Sequence, residues 1–168
     1  MAAAAAVLAL PVALTACDSN DDTEERTLVE VAQADPQLTV LVQAVVRANL
    51  ATTLSDESRT FTVFAPTDAA FTALTTALGV TRDQLLARSD LASILSFHVT
   101  SGEAPASALS NGTRVTTLLG GRQVTVIRTG NTVGIDTDNN GTVDARVVQA
   151  DVEASNGILH KIDAVLVP

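Results

Sequence analysis

Three features of the sequence predict an α+β domain with helices in its first half and an antiparallel sheet in its second. Helix-capping signals and apolar residues at helical spacing are confined to residues 27–98. Residues 113–168 are rich in Val, Thr and Ile and are divided by the turn dipeptides Gly120-Gly121, Gly130-Asn131, Asn140-Gly141 and Asn156-Gly157. Strands and helices do not alternate along the chain, so a repeating βαβ unit is not expected. With 46% hydrophobic and 17% charged residues over 168 positions, the chain has enough apolar surface for one folded domain.

The chain opens with an apolar run over residues 2–16, shorter than the roughly 20 residues a membrane-spanning helix needs and typical of a signal-peptide hydrophobic region. The run ends at Leu14-Thr15-Ala16-Cys17 and gives way at once to the polar stretch DSNDDTEER. These four residues resemble the lipobox of bacterial lipoproteins. In that class the chain is cut before the cysteine, which then takes acyl chains. The expectation is a signal peptide over 1–16, a lipidated acidic tether over 17–26 and a folded domain over 27–168. Acylated Cys17 would hold the protein on a membrane, facing the periplasm or the cell exterior, without a spanning helix. An ordinary secretory signal with an incidental cysteine, or a short buried helix, is the alternative. Cys17 is the chain's only cysteine, so no disulfide forms within the domain.

Thr27-Leu-Val-Glu30 is a capping box that should open a helix reaching about Ala34. Asp35-Pro36 is expected to start the next, with Asp35 as N-cap and Pro36 in the first turn. Leu38, Leu41, Val42, Val45 and Val46 then supply its apolar stripe. Residues 59–65 read as a strand ending at Pro66. Thr67 should cap a helix carrying Ala70, Phe71, Leu74 and Leu78 and stopped by Gly79. Thr81-Arg-Asp-Gln84 forms a second capping box, and Leu91, Ile94 and Leu95 mark a further helix ending near Phe97-His98. In the second half, Val124, Val126 and Arg128 alternate with Thr125, Ile127 and Thr129, as one strand of a sheet requires.

Three blocks of this sequence, in order and in register, resemble the fasciclin domain family over about residues 27–168. Thr62–Phe71 (TVFAPTDAAF) is similar to the family's first signature block. Leu95–Val99 (LSFHV) matches its central Tyr-His block, with Phe97 in place of the Tyr. Ala150–Pro168 matches its closing block. The resemblance implies a wedge-shaped antiparallel β-sandwich with helices packed around it, and placement at the cell surface. Within the blocks, Thr67 or Asp68 should offer oxygen to helix N–H groups, and Asn156-Gly157 should form a turn through positive φ. Through the same resemblance, Asp151 and Val152 match an Asp-Ile pair associated with partner recognition in animal members. Plain strand positions are the alternative reading for them.

Little in the chain suggests catalysis. His98 and His160 are the only histidines, and each lies in an apolar run where a hydrogen-bonded packing role is expected. No G-x-S-x-G nucleophile elbow and no glycine-rich phosphate loop occurs. A formal net charge of −9 repels a phosphate backbone, and the chain has neither Trp nor Tyr for base stacking, so nucleic acid is excluded as a partner. One cluster does suggest a ligand: Asp136, Asp138, Asn140, the carbonyl of Thr142 and Asp144 follow the oxygen-donor spacing of a calcium loop, with Gly141 at its turn. It lacks the bidentate Glu of such loops, since Val147 stands at that position, and an acidic solvated hairpin is the alternative. The sequence thus points to a non-enzymatic, lipid-anchored surface protein contributing to cell adhesion or matrix attachment through a surface protein or polysaccharide. The rival is a carrier holding a small apolar ligand between helices and sheet.

Overall fold

The computed structural model describes residues 26–168. The expected signal segment 1–16, Cys17 and the tether through residue 25 lie outside the described residues. Six helices and seven strands follow in the order α1 (Leu28–Ala34), α2 (Thr39–Arg47), α3 (Ala51–Leu54), β1 (Phe61–Pro66), α4 (Asp68–Leu78), α5 (Arg82–Leu86), α6 (Leu91–Phe97), β2 (Val99–Ser101), β3 (Arg114–Thr116), β4 (Gln123–Thr129), β5 (Thr132–Asp136), β6 (Ala145–Ala154) and β7 (Gly157–Ile162). The division into a helical half and a strand half, and hence the α+β class, is as the sequence predicts.

Helix starts follow local chemistry. At α1 the Thr27 hydroxyl accepts the Glu30 N–H, and the Glu30 carboxylate accepts the Thr27 N–H. Thr81 and Gln84 repeat the reciprocal pair at α5. Thr67 accepts from Ala70 at the start of α4, which ends on Gly79 at φ 65°.

Helix α2 departs from expectation. Asp35 ends α1 instead of capping α2. One of its oxygens accepts the Gln37 N–H, and the other pairs with Lys161, which is only 7% exposed and needs a countercharge. The residue at the α2 cap position, Leu38, has no side-chain oxygen to offer. Asp68, from the next helix but one, accepts the Val40 N–H at 2.8 Å in its place. The expected stripe holds at Leu38, Leu41 and Val45, which are buried, and at Val42, which packs against the helical core; Val40 and Ala44 widen it, while Val46 faces solvent at 54% exposure.

The strands form one sheet in the order β2-β1-β7-β6-β5-β4-β3. Its two ends meet at a bridge between Thr100 and Thr117, where the Leu118 N–H reaches the Val99 carbonyl at 2.8 Å, so the sheet rolls into a nearly closed barrel. All pairings are antiparallel except β1 with β7, a parallel ladder from Phe61↔Gly157 to Pro66↔Ile162. Every residue of β1 is buried, which is the pattern of a parallel strand covered on both faces. Phe61, Val63 and Ala65 enter the core shared with the helices. Phe64 enters the second core, inside the roll, with Phe97, Val124, Val126, Ile135 and Ile162.

The β1–β7 register requires a close approach at Gly157. A Cβ placed there would lie 1.8 Å from the Phe61 carbonyl oxygen, and its φ of +148° is itself unfavourable for a side chain. Gly157→Ala is therefore expected to destabilise the domain by about 3 kcal/mol or more, because backbone must separate from backbone. Urea unfolding followed by far-UV circular dichroism measures this, and a loss below about 1 kcal/mol would contradict the close approach.

Candidate functional site

The loop from Asp136 to Asp144 joins β5 to β6. Asp136 is the last residue of β5, and its side chain is 1% exposed. Its Oδ2 accepts the Gly141 N–H at 2.8 Å, a bond that needs the loop to turn back through Gly141 at φ 85°. Its Oδ1 is buried with no hydrogen-bond partner. Burial alone would raise the Asp136 carboxyl, but backbone N–H donors, Gly141 first among them, outweigh it and hold the group below the usual carboxylate range.

Asp138 and Asp144 are exposed, and each is oriented by the loop. Asp138 accepts from the backbone and side-chain amides of Asn140. Asp144 Oδ2 accepts the N–H and hydroxyl of Thr137 at 2.8 and 2.7 Å. One carboxylate oxygen from each of Asp136, Asp138 and Asp144 lies within 4.8 Å of the others. Among the described residues none of the three forms an ion pair, although Arg114 borders the same recess. The Asn140 side-chain oxygen is spent on the N–H and hydroxyl of Thr142, so Asn140 shapes the turn. Val147 lies in β6 against the inner core, away from any ligand role. Thr137, which fixes Asp144, was not singled out from sequence. Its place between two loop aspartates is the signal that marks it.

The other predicted site residues lie elsewhere and act between segments. His98 is 1% exposed; its Nδ1 donates to the Ile94 carbonyl at 2.7 Å, and its Nε2 accepts the Leu166 N–H at 2.9 Å. His160 stacks on Phe64, accepts the Asp151 N–H at Nδ1 and donates from Nε2 to the Ala104 carbonyl. Both rings are neutral and spend both nitrogens on backbone. Asp151 sits at φ 55° where β6 bulges, and its Oδ1 accepts the Ala106 N–H. Val152 is half-buried against the helical core.

Asn156 has a different job from the expected one. It does not adopt positive φ; only Gly157 of the pair does. The buried Asn156 amide accepts the Leu28 N–H at 2.9 Å and donates to the Leu54 carbonyl at 2.7 Å, joining the β6–β7 turn to α1 and α3. Thr62, which the sequence did not mark as a polar link, donates to the Gly102 carbonyl and accepts the Ala104 N–H, both at 2.8 Å.

Between helices and sheet, an apolar cavity of about 20 Å³ is lined by Leu28, Val29, Leu41, Val45, Val63 and Leu159. That is space for about one water molecule. Among the described residues, no helix is long and apolar enough to cross a membrane.

Comparison with known proteins agrees with this fold. The fasciclin domain profile matches residues 36–168. The chain is 38% identical to protein sll1483 of Synechocystis sp. over 144 residues, 84% of this chain and 73% of that one. It is also 38% identical to immunogenic protein MPB70 of Mycobacterium bovis, over 82% of this chain and 66% of the other. Among solved structures, a FAS1 domain pair from the insect cell adhesion molecule fasciclin I superposes with a TM-score of 0.73 at 22% identity, covering 85% of this chain and 51% of that one.

The buried histidines make stability depend on pH. Burial pushes His98 down from 6.5 to about 4, and burial also lowers His160. The unfolded chain therefore binds protons below about pH 6.5 that the folded chain refuses. Their neutral-state stability is complete above that pH and is lost as pH falls toward 4, with His98 alone accounting for on the order of 3 kcal/mol. Carboxylates held low in the fold, such as Asp35, act in the more acidic range. Urea unfolding at pH 7 and pH 4.5 should show this loss; equal stability at both would mean the His98 ring is not held neutral.

Proposed function

The chain belongs to the fasciclin domain family, and on that premise we propose that it is a non-enzymatic surface module that contributes to cell adhesion or matrix attachment. It is exported and held to a membrane by acyl chains on Cys17, on an acidic tether. The observation that carries the adhesion reading is the shared fold with a domain pair of a cell adhesion molecule. The partner is a surface protein or a polysaccharide, since a net charge of −9 disfavours nucleic acid.

The non-enzymatic reading is supported by the histidines, whose ring nitrogens are all committed to backbone partners. The carrier reading is disfavoured because the apolar cavity lined by Leu28, Leu41, Val63 and Leu159 accepts about one water-sized body, while the recess of about 420 Å³ beside Val31 and Val152 is open to solvent and bordered by the charged Asp35 and Lys161. Attachment also has a direction. The Arg26 carbonyl accepts the Ser155 N–H, so the tether joins the domain beside the β6–β7 turn. Strand β6 has 10 residues, hence a length of roughly 30 Å. The β5–β6 loop stands at its other end, presented away from the tether.

Two experiments test these readings. Mass spectrometry of the full chain expressed in a lipoprotein-processing bacterium should find a mature protein starting at acylated Cys17, and Cys17→Ser should leave the membrane fraction. An unmodified cysteine in a membrane-free protein would remove the anchor. Beads coated with the protein should bind source cells or their matrix saturably, with competition by free protein. Binding no better than that of albumin-coated beads would remove adhesion.

A further inference from the structure

We propose that the β5–β6 loop is a calcium site, with the carboxylates of Asp136, Asp138 and Asp144 as its protein ligands at the end of β6 remote from the β6–β7 turn. This goes beyond the adhesion reading and does not depend on it.

Two independent observations carry the site. The first is spacing: one oxygen from each carboxylate lies within 4.8 Å of the other two. Calcium holds oxygens at about 2.3–2.6 Å, so ligands on opposite sides of one ion are about 4.6–5.2 Å apart. Three oxygens within that span fit one coordination sphere without movement of the backbone. Magnesium, at about 2.0–2.1 Å and with strict octahedral demands, fits such a set less well. Nothing in the loop offers nitrogen or sulfur, which disfavours zinc.

The second is the state of Asp136. Its side chain is 1% exposed, and Oδ1 has no partner, while Oδ2 is held by Gly141. A buried carboxylate oxygen without a partner is costly, the large majority of buried polar atoms in folded proteins are partnered, and a bound ion is one standard explanation of an exception. No Lys, Arg or His among the described residues pairs with this carboxylate or with its two neighbours. A divalent cation supplies both the missing partner and the missing charge.

The remainder of the loop keeps the three oxygens together. Thr137 orients Asp144, Asn140 orients Asp138, and Gly141 lets the chain double back over Asp136. With three carboxylates and no bidentate Glu, the rest of the coordination sphere falls to water. The affinity should then lie in the weak extracellular range, roughly 10⁻⁴–10⁻³ M.

The test titrates calcium chloride, and separately magnesium chloride, into the chelator-treated full chain at constant ionic strength. Heat is read by calorimetry and the melting temperature by far-UV circular dichroism. Calcium should bind at one site and, at a hundredfold excess over its Kd, raise the melting temperature by roughly 5–10 °C. Magnesium should bind at least tenfold more weakly. Because Asp136 is buried and its replacement threatens folding, the variants are the exposed Asp138→Asn and Asp144→Asn. Each should keep the melting temperature of the chelated protein and weaken calcium at least tenfold. Absence of heat and of any shift up to 10 mM calcium would overturn the proposal. So would equal effects of the two cations, which indicate charge screening, or unchanged affinity in both variants.

Discussion

The parallel pairing of β1 with β7 is the contact on which the rest of the molecule depends. Strand β1 is covered on both faces, by the helices through Phe61, Val63 and Ala65 and by the interior of the roll through Phe64. Strand β7 can lie against it only because Gly157 has no side chain where the Phe61 carbonyl passes. Both cores are therefore organised around one ladder whose strands, 61–66 and 157–162, lie far apart in the chain. Such a ladder closes a long loop, and that entropy must be recovered by what packs on either side.

Apolar burial in the two cores supplies most of that recovery, and buried polar side chains tie distant segments together within it. Asn156 holds α1 and α3 to the β6–β7 turn, beside the first residue of the ladder. His98 holds the chain's last residues through the Leu166 N–H. His160 holds the bulge in β6 to the 104–106 segment. Asp68 completes α2 from the start of α4. Each satisfies backbone groups that would otherwise be buried without partners, so each fixes one arrangement of its segments and makes alternatives costly.

Charge is arranged differently. The single lysine is buried against Asp35, and most of the acidic excess stays at the surface. In the β5–β6 loop three carboxylates are gathered without a cation from the chain itself. The two ends of β6 consequently differ: one meets Arg26 through the Ser155 N–H, and the other carries concentrated negative charge.

What the sequence determined by itself is what neighbouring residues settle among themselves. The capping boxes at Thr27 and Thr81, the cap at Thr67 and the stop at Gly79 were legible because donor and acceptor stand within about three residues of each other. The alternation in β4 and the three fasciclin blocks were legible for a related reason, since they are local patterns in register. The sequence offered the acidic loop as a candidate ligand set, but not the burial of Asp136 or the orphaned oxygen it carries. Tertiary structure alone decided that Asp35 serves Lys161 instead of α2, that Asp68 serves α2, that Asn156 reaches Leu28 and Leu54, and that β1 runs parallel to β7. In each of those cases the partner lies 28 or more positions away in the chain. A hydrogen bond or ion pair over that distance exists only once packing has brought the two segments together, so no local pattern can announce it.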